Sequence, residues 1–109
     1  MVVVVFKITY RPGMPAADYE ATGNRMVELV SALPGFLGMD YGASEGGEIV
    51  VARFESHEAL ADWRNLAEHR AAQERGRDEF FAHYRIDVCE PVRSYEFHAE
   101  DLAGTEAAA

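Results

Sequence analysis

Two segments of the sequence carry apolar side chains on both sides of a strand. Residues 2–10, VVVVFKITY, are rich in β-branched and aromatic side chains, which favour an extended backbone. Because successive side chains of a strand point to opposite faces, Val3 and Val5 oppose the other apolar residues of this segment. Residues 48–54, EIVVARF, repeat the pattern. A sheet with one solvated face would alternate apolar and polar side chains, so we expect both faces of this sheet to be covered.

One helix is predicted after the first strand. Pro15 suits its first turn, where the N–H group that proline lacks would have no helical partner. Pro34 and Gly35 end it. The stripe that should face a core recurs at helical spacing and consists of Tyr19, Thr22, Met26, Val30 and Leu33.

A hairpin and a second helix are predicted next. Residues 36–44, FLGMDYGAS, alternate as a strand does, and the EGG sequence after them supplies the positive φ angles of a tight turn into the strand at 48–54. Ser56 is suited to cap the following helix. The helical pattern then persists to Gly76, so we expect a single helix over this stretch.

The last predicted strand, residues 84–98, changes its pattern at Pro91. Before this proline the apolar side chains stand at even-numbered positions, and after it Tyr95 and Phe97 stand at odd-numbered ones, so the apolar side of the strand changes. Because proline cannot donate a hydrogen bond to a strand ladder, we expect a bulge or bend there. Residues 99–109 carry too little apolar pattern to pack. The chain is therefore predicted to be one domain, residues 1–98, followed by a flexible C-terminal tail.

The elements occur in the order β-α-β-β-α-β. This is the ferredoxin-like arrangement of an α+β protein, in which two helices cover one face of an antiparallel sheet. The valine-rich second face then needs another cover. A homodimer that packs two sheets face to face would provide it, because the same apolar patch serves both subunits. After the bend at Pro91, residues 92–97 are expected to reach across and pair with the partner.

Charge and cysteine content exclude several classes of partner. Ten Lys and Arg residues against nineteen Asp and Glu residues give a net charge of -9, which repels nucleic acid and anionic membrane surfaces. Cys89 is the only cysteine, so no intrachain disulfide forms, and a reducing cytoplasm is the expected compartment. No stretch reaches the ~18 apolar residues that a membrane span needs.

The sequence resembles a known family, most characteristically in its second half. The stretch DWRNLAEHRAAQERGR, residues 62–77, the FF...Y.I.V segment after it and the closing V.R.Y.F strand resemble the antibiotic biosynthesis monooxygenase family. The likeness covers nearly the whole chain, up to about His98. It implies a dimeric α+β-barrel and one of several activities that this fold supports: cofactor-free oxidation of polyphenols or quinols, haem degradation, or another small-molecule activity.

The haem-degrading branch of the family fits this sequence poorly. Its members resemble one another in an Asn on the first strand and in a Trp and a His ten residues apart on the second long helix. Here the first strand has no Asn, and Gln73 stands ten residues after Trp63. His69 follows Trp63 by six residues, which on one continuous helix places it about 120° away. We therefore favour a cofactor-free oxygenase over haem degradation.

The sequence predicts neither a cofactor nor a metal. It has no GxGxxG motif, no phosphate loop and no HExxH motif. The histidines are scattered, at 57, 69, 83 and 98, without metal-ligand spacing. An oxygenase without a cofactor must take its electrons from the substrate. A polycyclic phenol, anthrone or quinol can supply them, because its deprotonated form passes one electron to molecular oxygen directly.

Such an enzyme needs an apolar cavity and a base, and Trp63 and His69 are the predicted catalytic residues. Trp63 would stack on the substrate, or else it is ordinary core. His69 would be the base, or else it is structural. The predicted substrate-binding residues, which we expect beneath the helices, are Phe6, Tyr10, Asn24, Met26, Phe80, Phe81 and Tyr84. The alternative function is a protein that binds a small aromatic metabolite without converting it.

Overall fold

A four-stranded antiparallel sheet forms the centre of the molecule. The computed structural model describes residues 1–102. The strands lie in the order β2-β3-β1-β4, and they are β1 (Val2–Tyr10), β2 (Phe36–Ser44), β3 (Gly47–Phe54) and β4 (Phe81–Cys89). The predicted ferredoxin-like α+β fold is confirmed. Within the described residues the sheet stays open and does not close into a barrel.

Three helices connect the strands, where two were predicted. They are α1 (Ala16–Ser31), α2 (His57–Arg64) and α3 (Ala67–Arg75), and a π-helical turn, Gly76–Phe80, joins α3 to β4. Ser56 caps α2 as predicted, since its Oγ accepts a hydrogen bond from the Ala59 N–H at 3.1 Å. In the described part of the chain, no helix is long and apolar enough to span a membrane.

The prediction of one helix from Ser56 to Gly76 is wrong. The Asn65 N–H closes the last turn of α2 on the Ala61 carbonyl at 2.9 Å. Leu66 then takes an extended conformation, with φ −66° and ψ 127°, and its side chain is half-buried. No proline or glycine marks this break in the sequence, so propensity alone could not locate it.

The end of the last strand also differs from its prediction. The strand begins at Phe81 and stops at Cys89, just before Pro91. Residues 90–98, which we call the C-terminal arm, form neither helix nor strand. Its apolar side chains are the most exposed of the large hydrophobic ones in the structure, at 94% for Val92, 82% for Tyr95 and 68% for Phe97. The pairing of this arm with a second subunit stays a prediction.

The predicted tail, residues 99–109, is described only in part. It starts with a short 3-10 turn, Ala99–Leu102. Its remainder, residues 103–109, lies outside the described residues.

The two faces of the sheet have different surroundings. The face under the helices carries the main core, where Val2 and Phe54 are cross-strand partners and pack against Val30, Ala59 and Leu60. The opposite face carries the side chains that were predicted to need a cover. Within the described chain they are only partly buried: Val3, Val5, Ile49 and Val51.

Candidate functional site

A cavity of about 710 Å³ lies between the helices and the sheet. Its walls come from the helix-facing side chains of the strands and from all three helices. Eight of the nine residues predicted for the site line it: Phe6, Tyr10, Asn24, Met26, Trp63, His69, Phe80 and Phe81. Tyr84 does not. Its ring instead supports two lining rings edge-on, with centroids 5.5 Å from Phe6 and 6.0 Å from Phe81.

The side chains of Trp63 and His69 are stacked. Their ring centroids are 3.9 Å apart and their planes are inclined by 16°. The predicted angular separation of these two residues is therefore wrong, because it assumed one continuous helix. The break at Leu66 reorients α3 and brings the imidazole over the indole.

The imidazole of His69 also caps the end of α2. Its Nδ1 lies 3.1 Å from the Trp63 carbonyl oxygen. A carbonyl only accepts, so Nδ1 carries the proton and donates it. In the neutral ring, Nε2 then keeps its lone pair. The Trp63 carbonyl also accepts a hydrogen bond from the Leu66 N–H at 3.2 Å. This carbonyl at the end of α2 therefore accepts two hydrogen bonds.

Burial sets the protonation state of His69. Because the charged ring would lose its hydration, burial lowers the pKa of His69 below its ordinary value, and the hydrogen bond to the Trp63 carbonyl opposes this only in part. The residue is therefore a neutral imidazole near neutral pH, and its Nε2 has no hydrogen-bond partner within residues 1–102.

The π-helical turn positions the aromatic wall of the cavity. The turn ends at Phe80, which is buried. The next residue, Phe81, begins β4 and is half-buried. Gly76 allows this packing, because a Cβ atom there would stand 2.5 Å from the Phe81 ring. Arg11 fixes both backbone carbonyls: its N–H donates to the Phe80 oxygen at 2.9 Å and its Nε to the Phe81 oxygen at 3.0 Å.

Tyr19 and Glu48 are two of the polar lining residues that the sequence analysis did not assign to the site. The Tyr19 hydroxyl of α1 donates a short hydrogen bond to Oε1 of Glu48 on β3. Tyr19 had been assigned to the core stripe of its helix. Glu48 shares its face with Val50 and Ala52, so strict alternation along the strand could have placed it in the cavity.

The other histidines do not join His69. On the surface, His57 Nε2 lies 2.5 Å from Oε1 of Glu90, and His98 Nε2 lies 3.2 Å from Oε2 of Glu96. Across residues 1–102, no group of three or more His, Cys, Asp or Glu side chains is arranged to hold a metal ion.

Comparison with known proteins identifies the family. The family model for antibiotic biosynthesis monooxygenase matches residues 1–75, more than half of the chain. The chain belongs to the antibiotic biosynthesis monooxygenase family. Membership supports a monooxygenase-type function, and the family match includes the whole Trp63–His69 pair.

Individual proteins are also similar to this antibiotic biosynthesis monooxygenase family member. The chain is 36% identical over 80 residues to the protein YqjZ of Bacillus subtilis (strain 168), covering 72% of this chain and 70% of that protein. Two solved structures share its fold. Rv0793 from Mycobacterium tuberculosis is 22% identical with a TM-score of 0.74, over 87% of this chain and 98% of that one. SnoaB, a cofactor-independent oxygenase from Streptomyces nogalater, is 14% identical with a TM-score of 0.70, over 85% of this chain and 94% of that one.

Proposed function

We propose that the protein is a cofactor-independent monooxygenase that oxidises a small polycyclic phenol, anthrone or quinol with molecular oxygen. The observation that carries the proposal is the neutral His69 ring, stacked on Trp63 at the wall of a largely apolar cavity. Family membership and the cofactor-independent oxygenase SnoaB among its structural relatives support the same reaction type.

The first step assigned to the site is proton removal. The lone pair on Nε2 of His69 takes a proton from the acidic position of the substrate, which leaves a carbanion or phenolate. A base of lowered pKa is available in its neutral form at neutral pH. Arg64 also lines the cavity and provides positive charge for the anion.

The second step is electron transfer from that anion to oxygen. One electron passes to molecular oxygen, and the resulting substrate radical and superoxide combine into a peroxide. For an anthrone, the protonated His69 then returns its proton to the peroxide, and the resulting hydroperoxide loses water, so one oxygen atom becomes a ring carbonyl and the other leaves as water. The apolar walls, including the Phe6 and Phe81 rings, keep bulk water from the radical pair.

Trp63 serves as the platform in this proposal. Its indole ring provides a flat face for an aromatic substrate, and His69 is fixed against that ring at 3.9 Å between centroids. Stacking and the hydrogen bond to the Trp63 carbonyl together hold the base in one orientation. Fixed orientation is what makes a weak base effective.

Oxygen uptake by the purified protein tests the proposal. We expect uptake with anthrones or quinols in air, in the presence of a metal chelator, and its loss in His69→Gln and Trp63→Phe. His83→Gln is the matched control, because His83 is exposed on β4 and does not line the cavity. Binding of the same compounds without oxygen uptake would instead identify a binding protein and end the monooxygenase proposal.

We also propose that the functional unit is a homodimer. Two observations support it: the partly buried valines on the open face of the sheet, and the exposed apolar side chains of the C-terminal arm. If two sheets packed face to face and each C-terminal arm paired with the partner subunit, both the open face and the arm would be buried. Sedimentation should give a dimer that is weakened when Val92, Tyr95 and Phe97 are replaced by Ser. A stable monomer at low micromolar concentration would refute this part.

A further inference from the structure

A second polar group lies in the same cavity, away from Trp63 and His69. We call it the tyrosine–glutamate cluster, and it consists of Tyr10, Tyr19 and Glu48. The Tyr19 hydroxyl donates to Glu48 Oε1, and the Tyr10 ring meets the Tyr19 ring edge-on, at 5.4 Å between centroids and 65° between planes. The cluster joins three elements, β1, α1 and β3, at one place.

The cluster and the Trp63–His69 pair lie toward opposite ends of the strands. Trp63 packs against the core cluster that includes Val2 and Phe54, whereas Glu48 is paired with Ile8, near the other end of β1. On the helix side, Arg25 of α1 donates to Glu68, the residue before His69, and Arg25 lies six residues from Tyr19, or about 9 Å of helix. An elongated ligand in this cavity can therefore meet one polar group at each end.

The Glu48 carboxylate has acceptor capacity to spare. A carboxylate offers about four lone-pair positions, and Tyr19 occupies one of them. Within residues 1–102, no other side chain donates to Glu48. The lining around Glu48 consists of the Tyr10 ring and apolar strand side chains. A ligand in the cavity can therefore supply a second hydrogen-bond donor to Glu48.

Tyr19 fixes which partner is the donor. Burial, followed by the hydrogen bond to Glu48 and the charge of that carboxylate, raises the pKa of Tyr19 well above its usual range. The hydroxyl therefore keeps its proton at any working pH and donates it to Glu48. Burial and the same carboxylate charge also raise the pKa of Tyr10, so that hydroxyl is likewise neutral.

We infer that Glu48, oriented by Tyr19, is a specificity-determining acceptor for a hydroxyl group at the end of the ligand opposite Trp63 and His69. The preferred ligands are then fused-ring aromatics with hydroxyl groups on both end rings. The inference deepens the proposed function and rests on it for which end of the ligand reacts. Recognition of the second hydroxyl is a matter of binding alone.

A matched pair of ligands tests this recognition. The probes are a naphthalenediol with its hydroxyls on opposite rings and the corresponding naphthol, titrated calorimetrically without oxygen. A hydrogen bond to a charged acceptor should make the wild-type protein bind the diol about tenfold more tightly. Glu48→Gln should cut that preference to about threefold or less, because an amide is an uncharged and weaker acceptor.

The control is Glu45→Gln. Glu45 is exposed in the neighbouring turn and does not line the cavity, so this variant makes the same charge change and should keep the wild-type preference. The preference is a ratio measured within one variant, so a loss of folded protein cancels from it. A purely structural tie between Tyr19 and Glu48 would weaken both ligands equally.

Three results would overturn the inference: no preference for the diol in the wild type, an unchanged preference in Glu48→Gln, or an equal loss in Glu45→Gln. Oxygen uptake with the same diol separates it from the proposed function. A preference that depends on Glu48 without oxygen uptake ends only the monooxygenase proposal. Uptake with a preference that ignores Glu48 ends only the inference.

Discussion

The His69 imidazole lies flat against the Trp63 indole, at 3.9 Å between centroids, and its Nδ1 donates to the carbonyl of the same tryptophan. His69 thus contacts Trp63 twice, at its indole ring and at its backbone carbonyl. The arrangement exists because the helix breaks at Leu66. It explains how a histidine six residues from a tryptophan becomes its closest aromatic neighbour, and it makes the tryptophan a reporter of the state of the histidine.

The pH dependence of tryptophan fluorescence should report the pKa of His69. Trp63 is the only tryptophan in the chain, and a protonated imidazole stacked on it changes its emission. Because burial lowers the pKa of His69, the transition should have its midpoint below the ordinary value of about 6.5. His69→Gln should abolish the transition, whereas His57→Gln, at the surface, should leave it in place. A midpoint at or above the ordinary value would contradict the buried, neutral ring.

The same lowered pKa predicts how the free energy of unfolding varies with pH. As pH falls below about 6.5, the unfolded chain binds a proton at His69 that the folded chain does not, so unfolding becomes easier. The contribution is fully present above the unfolded-state pKa and is lost as pH falls toward the folded-state pKa. Urea titrations across this window should show a steeper loss of stability in the wild type than in His69→Gln. Equal slopes would mean that His69 is hydrated in the fold.

Trp63 substitutions should separate packing from function. The indole is half-buried and packs against the core cluster, so Trp63→Ala should lower the free energy of unfolding by about 3 kcal/mol. Trp63→Phe keeps a ring in place and should cost less than half of that. If Trp63→Phe keeps its melting temperature but loses ligand binding, the indole belongs to the site. If melting falls and binding survives, it is core material.

Sequence patterns predicted the parts of the fold that depend on local chemistry. Alternation defined the first three strands, and Ser56 was placed correctly as a helix cap because an N-cap depends on its own neighbours. The break at Leu66 could not be found in this way, since it is stabilised by the contact between His69 and Trp63, which exists only in the folded chain. Glu48 was missed for a different reason. A charged residue at the start of a strand normally faces water, and only the tertiary position of Tyr19 turns it into a cavity residue.

Gly47 should be intolerant of any side chain. A Cβ atom at this position would stand 1.8 Å from the Ile8 carbonyl oxygen, inside the β1–β3 ladder. Gly47→Ala should therefore lower the free energy of unfolding by about 2 kcal/mol or more. Gly42→Ala is the matched control on β2, because a Cβ there meets nothing within 4 Å, and it should change stability by no more than about 0.5 kcal/mol. Equal effects in a urea titration would contradict this pairing of the strands.

Gly23 offers the opposite case, a glycine whose replacement should stabilise the fold. It lies in the middle of α1, and a Cβ atom there would meet nothing within 4 Å. Glycine costs a helix interior about 1 kcal/mol relative to alanine, because it loses more backbone freedom on folding. Gly23→Ala should therefore raise the free energy of unfolding by about that amount.

The reverse substitution nearby provides the control for Gly23. Ala21 is exposed on the same helix, so Ala21→Gly should lower stability by about 1 kcal/mol, and the double variant should return close to the wild type. Gly23 also lines the cavity, so its missing side chain leaves room beside the ligand. Weaker binding of the naphthalenediol in the more stable Gly23→Ala protein would show that this room matters for the ligand. If Gly23→Ala is instead less stable than the wild type, α1 packs against its neighbours at Gly23, and the space beside this residue is not open.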